Sequence, residues 1–194
     1  VVGLAVGGGL PTPLLPLQIL FLNLVTDVFP AFALGLGRGG EALMRRPPRD
    51  PEEAIVARPN WIEIAVLGAM ITAATLGAFA TALFGLGLGT ADGVTVAFLT
   101  LASAQLWNVF NMRDPAGGLL RNDIAANPYV WGALALCLGI LALAVWFPPL
   151  AGLLDLRAPG LAALALVAGA SVLPLIAGQI WIVFLRPGPA ERRG

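Results

Sequence analysis

The chain has no histidine and no lysine, one cysteine and one tyrosine, and only 11% of its 194 residues are charged. Without histidine there is no Ser-His or Cys-His pair for nucleophilic catalysis and no imidazole ligand for zinc. The single Cys137 lies in an apolar segment. It cannot close a disulfide within the chain and reads as a small core residue. All eleven basic residues are Arg and are balanced by eleven acids, so no net positive charge favours nucleic acid as a partner. No internal repeat of fixed period is visible, which argues against a solenoid.

What is present is apolar. Hydrophobic residues make up 58% of the chain and the mean hydropathy is +0.88, values at which a soluble domain would precipitate. The expected fold is all-α, a polytopic transmembrane helical bundle in a lipid bilayer. A bilayer crossing needs about 20 helical residues, so residues 1–10, apolar and Gly-rich, read as the end of a preceding span. The chain opens on Val1 with no charged flank, a pattern of neither a signal peptide nor a natural start. The expectation is a C-terminal piece of a longer protein. Pro11, Pro13 and Pro16 break the helix, and complete spans are expected at 17–36, 61–83, 94–112, 129–147 and 160–185.

Charge orients these spans. Residues 37–60 carry Arg38, Arg45, Arg46, Arg49 and Arg58, the segment near 85–93 has no basic residue, and 113–128 holds Arg113 and Arg121. The positive-inside rule puts loops 37–60 and 113–128 and the tail 186–194 in the cytoplasm, with only Arg157 outside. Gly35-Leu-Gly-Arg-Gly-Gly40 matches a dinucleotide-binding pattern as text, but it follows a membrane helix instead of a strand and reads as a loop. In the second span Gly68, Thr72, Ala73, Gly77 and Thr81 form a small-residue spacing expected to let helices approach closely. Glu63, at its edge, needs no special role. Trp131 and Trp146 near the ends of the fourth span suit an interfacial belt, and Pro174 is expected to kink the fifth.

Polar residues inside the first span carry the functional signal. Asp27, in Gln18-Ile-Leu-Phe-Leu-Asn-Leu-Val-Thr-Asp-Val-Phe-Pro30, costs a few kcal/mol to bury, so it must face a bundle interior, a cavity or a cation. Asn23 and Asp27 are one turn apart and share a face. Pro30 has no N–H to offer the carbonyl of Thr26. Free carbonyls, an amide, a hydroxyl and a carboxylate are the ligand set of a hard cation. The plain alternative is that Asp27 pairs with another buried polar group and holds helices together.

The string from Pro16 to Gly35 resembles the sixth membrane helix of cation-pumping P-type ATPases, most closely of calcium pumps. Met44-Arg-Arg-Pro-Pro-Arg49 looks like the cytoplasmic loop that follows it in those pumps. The resemblance implies that the chain runs from the end of the fifth to the tenth membrane helix. It also implies that Asn23, Thr26 and Asp27 bind the transported ion in an unwound part of the first span. Gln105-Leu-Trp-Asn-Val-Phe-Asn-Met-Arg113 is similar to the eighth helix of plasma-membrane-type calcium pumps, which puts Gln105 and Asn108 beside the ion. The other reading of these two amides is interhelical glue worth under about 1 kcal/mol each. Val28 stands where calcium pumps carry Gly, and Gln105 where muscle calcium pumps carry Glu, departures that argue against a two-calcium site of the muscle type; Asn23 matches calcium pumps, and the oxygen-rich ligand set favours calcium, with a monovalent ion, manganese or a proton as alternatives. Nothing resembles the Asp-Lys-Thr-Gly-Thr phosphorylation motif or a nucleotide pocket. ATP and Mg2+ would then act only through N-terminal pump domains, which with the upstream helices are the implied partners, and this chain alone would not be an active enzyme. The expected location is a bacterial-type plasma membrane. The alternative function is a stand-alone small transporter, channel or assembly protein with a pump-like bundle.

Overall fold

A computed structural model describes residues 1–36, 58–112 and 124–184. Every regular element among them is helical. A helix satisfies its own N–H and C=O groups, which hydrocarbon cannot do for it. Five helices are long and apolar enough to cross a membrane: Pro16–Gly35, Trp61–Gly85, Thr90–Met112, Pro128–Trp146 and Leu161–Ile182, the first to fifth spans below. A short helix, Val2–Gly7, precedes them and ends before Gly9, whose φ is 77°. Nearly all the Arg residues used for topology, including the Arg-Pro-Pro-Arg segment, lie outside the described residues.

The third span is the central helix. In its most apolar window 72% of the residues are buried in protein, against 22–39% in the other four. It packs against the second and fifth spans, which also pack on each other, and it touches the middle of the first. The second half of the first span packs against the fourth. The third span starts at Thr90, not near Val94, because Gly89 is extended and Asp92 sits in the first turn, where the helix dipole favours an acid. Hydropathy passes over these polar starting residues.

Small residues act at other positions than their spacing in the second span predicted. Ala73, Gly77 and Thr81 are exposed, and a Cβ at Gly68 or Gly77 would meet nothing within 4 Å. The buried residues of that span are Leu67, Thr75, Ala78, Phe79 and Ala82. Close approach comes from the partner helix, where a Cβ on Gly93 would stand 2.9 Å from Leu83 and 3.1 Å from Phe79. A helix apolar all round does not announce which face is packed.

Between the fourth and fifth spans the chain forms a further short helix, Pro148–Leu153, whose prolines occupy the first turn, where an N–H has no partner to lose. Asp155 then takes a left-handed conformation with φ 51°. Gln18 ties this turn to the first span. Fully buried, it donates from Nε2 to the Leu154 carbonyl at 2.9 Å, and its Oε1 accepts from the Leu15 N–H at 3.0 Å. The fifth span continues as one helix, Leu161–Phe184, through Pro174. Trp131 is half-exposed and donates from its indole to the Ala125 carbonyl at 2.9 Å, as an interfacial ring does.

Candidate functional site

The first span changes pitch where its polar residues sit. Pro16–Asn23 is α-helical, Leu24–Val28 is wound as a π-turn, and Phe29–Gly35 is α-helical again. The ligand stretch is therefore a widened helical turn and not the unwound segment that the resemblance implied. Pro30 supplies a cause. In α-winding its missing N–H would deprive the Thr26 carbonyl, whereas i→i+5 winding moves the deficit to Val25. The fourth span meets that deficit: Cys137 Sγ donates to the Val25 carbonyl at 3.2 Å.

Cys137 is thus a core residue that also caps the widened turn. Cys137→Ala is expected to leave a buried carbonyl unmet and to cost about 1 kcal/mol, while Cys137→Ser, which keeps a donor, costs less. Thermal unfolding in detergent compares the two. Equal midpoints for both variants would remove the bond from the account.

Thr26 is buried and donates its hydroxyl to the Leu22 carbonyl at 2.9 Å. Asp27 Oδ1 lies 3.4 Å from the Thr26 hydroxyl oxygen, too far for a second strong bond. With its one proton committed, the Thr26 oxygen keeps lone pairs for another partner.

A cavity of about 550 Å³ lies between the first, second and third spans and is lined by Thr26, Asp27, Glu63, Gln105, Asn108 and Asn111 among apolar walls. Four of the five expected ion ligands, Thr26, Asp27, Gln105 and Asn108, therefore border one space. Asn23 does not. It borders a neighbouring cavity of about 380 Å³, whose wall also includes Gln105. Asn23 and Asp27 do share a face, as their spacing predicted, because both border a third hollow against Leu150, Leu153 and Leu154.

The donor set suits a hard cation. Gln105 Oε1 is buried with no hydrogen-bond partner among the described residues, so its lone pairs are open to another partner. No Arg lines the main cavity among the described residues, and Glu63 adds a second carboxylate to the wall that Asp27 borders. The sequence alone gives Glu63 no special role; the structure puts it on this wall. It lies near the start of the span Trp61–Gly85, at the edge where hydropathy placed it, and its facing is what hydropathy does not read. No group of three or more His, Cys, Asp or Glu among the described residues could form a metal cage, so the remaining oxygens come from amides and a hydroxyl. That mixture matches a hard cation such as calcium, magnesium or manganese and not a thiolate- or imidazole-bound metal.

Asn108 is held in place. Asn111 Nδ2 donates to Asn108 Oδ1 at 3.0 Å, and Gln179 Nε2, from the fifth span, donates to Asn111 Oδ1 at 2.9 Å. Sequence reasoning missed Gln179. The available signal was a lone amide in a span otherwise free of polar side chains larger than Ser171.

Comparison with known proteins gives a consistent picture. The family described as "Cation transporting ATPase, C-terminus" matches residues 11–184. A protein named "Calcium-transporting ATPase" from Bacillus subtilis (strain 168) is 36% identical over 173 residues, which is 88% of this chain and 19% of that protein. "Calcium-transporting ATPase 1" from Lactococcus lactis subsp. lactis is 33% identical over 135 residues, 70% of this chain and 15% of that protein. "Calcium-transporting ATPase 1" from Bacillus cereus is 30% identical over 193 residues, 91% of this chain and 22% of that protein. The chain thus spans about a fifth of the length of the relatives it matches.

Proposed function

This chain belongs to the cation-transporting ATPase family as a multi-pass membrane segment of its C-terminal region, and from that premise we propose that it forms part of the intramembrane site of an ATP-driven calcium pump. The observation that carries the reading is the single cavity bordered by Asp27, Thr26, Gln105 and Asn108, with Glu63 as a second acid and no Arg on its described wall. A calcium ion wants six to eight oxygens at about 2.3–2.6 Å. Asp27 supplies the attraction that replaces hydration, the Thr26 hydroxyl and the Gln105 amide supply neutral oxygens, and Asn23 contributes from the adjoining cavity. Further ligands come from upstream helices or water.

ATP and Mg2+ act in this reading through pump domains outside the chain, and phosphorylation there reshapes the bundle so that the site opens to alternate sides. The π-turn of Leu24–Val28 is where the first span departs from α-winding, and turns of this kind recur at functional sites. The Arg-rich loops 37–60 and 113–128 and the tail face the cytoplasm of a bacterial plasma membrane. A stand-alone channel or transporter has no observation in its favour, since the matched relatives are named as ATPases.

Cargo is tested by phosphorylation of the full-length protein from ATP under ion titration. Phosphoenzyme that rises with calcium and not with sodium is expected. A requirement for sodium, or indifference to both ions, would reassign the cargo.

A further inference from the structure

Three side-chain amides form a chain from the fifth span to the cavity wall, and one backbone group sets its direction. Gln179 Nε2 donates both to the Phe110 carbonyl at 3.0 Å and to Asn111 Oδ1 at 2.9 Å. A backbone carbonyl only accepts, so the Gln179 atom facing it is the nitrogen and not the oxygen. The atom of Asn111 that faces this nitrogen must then be its oxygen. Its other end is therefore Nδ2, which lies 3.0 Å from Asn108 and must meet the Asn108 oxygen. The end-for-end ambiguity of three amides is settled by the carbonyl of Phe110.

We infer that Gln179 is a positioning residue for the ion site, acting through Asn111 to fix the side chain of Asn108 at the cavity. The proposal rests on the reading of that cavity as the cation site. Asn111 is 1% exposed and cannot turn without losing bonds on both sides. Gly178 makes the arrangement possible, because a Cβ there would lie 2.4 Å from Asn111 Nδ2. The glycine lets the fifth span come close, and the next residue closes the bond. The position of the fifth span is thereby transmitted to a residue that borders the ion cavity, although Gln179 itself does not line it. Asn108 keeps one lone pair on Oδ1 beyond the bond it accepts, so the relay aims the oxygen without consuming it.

The test is calcium activation of ATP hydrolysis by the full-length protein. Gln179→Leu removes both donors and is expected to raise the calcium concentration for half-activation about three- to tenfold, with maximal rate within about twofold of the parent. Added to Asn108→Ala, which acts at the end of the relay, it is expected to give no further rise. If Gln179→Leu fails to fold, Gln179→Glu takes its place. It has the same shape, and its carboxylate repels both acceptors and reverses the relay. Unchanged half-activation, a fall in maximal rate alone, or effects that multiply in the double variant would overturn the inference. Asp27→Asn measured alongside separates the two levels. Calcium activation retained in Asp27→Asn refutes the ion-site reading and this inference with it, whereas a normal Gln179→Leu beside an inactive Asp27→Asn refutes the inference alone.

Discussion

Asp27→Asn in the full-length protein is expected to abolish calcium-dependent phosphorylation from ATP while leaving a fold at least as stable as the parent. The substitution keeps volume and hydrogen-bonding capacity and removes only charge. At about 4 Å and an effective dielectric of about 20, each unit of cation charge gains about 4 kcal/mol from a carboxylate. That alone is nearly a thousandfold in affinity, and calcium carries two units. Holding that charge at the depth of the bilayer costs a few kcal/mol, which the Asn variant no longer bears. Asn23→Ala should weaken affinity less, since Asn23 offers a dipole and borders the adjoining cavity. A purely structural Asp27 predicts the opposite pattern: a deserted partner, lower expression, and normal transport per folded molecule. Phosphoenzyme yield measured beside thermal stability in detergent distinguishes the two patterns.

Gly178→Ala should produce the largest stability loss of any single methyl added to the described glycines. Its Cβ would fall 2.4 Å from Asn111 Nδ2 and 2.9 Å from both Asn111 Cγ and Leu67 Cδ2. Leu67 has room to turn at its tip, but Asn111 is pinned by Asn108 and Gln179. Either the fifth span retreats or the relay breaks. Overpacking of this kind costs about 1–3 kcal/mol. Gly77→Ala is the matched control, because that position is exposed and a Cβ there meets nothing within 4 Å. It should be neutral or slightly stabilising through helix propensity. A Gly178→Ala protein that melts with the parent would contradict the tight approach of the fifth span.

The membrane bundle and most of the polar residues on the candidate cavity's wall were legible in the sequence because both rest on the cost of polarity in hydrocarbon. Five apolar runs could only be helices, and Asp27 with Thr26, Gln105 and Asn108 stood out as polar groups that needed a reason to be there. What escaped was set by tertiary partners. The π-turn depends on Pro30 together with Cys137, two residues 107 positions apart that nothing in their spacing connects. Nothing near Gln18 in the sequence reveals the Leu154 carbonyl that holds it. Glu63 was assigned by depth along its helix, whereas its facing placed it on the cavity. The small residues of the second span misled for the same reason, since the glycines that permit contact, Gly93 and Gly178, belong to the helices on the other side. Periodicity tells that a helix has a face only when its residues differ in polarity, and these spans are apolar nearly all round.

The central claim is that the cavity bordered by Asp27, Thr26, Gln105 and Asn108 holds the transported cation. Equilibrium binding of radioactive calcium to the purified full-length protein, without ATP, tests it apart from any later step of the cycle. Saturable binding to the parent that is lost in folded Asp27→Asn is the predicted result; Asp27→Asn that binds calcium with the parent's affinity and stoichiometry would contradict it.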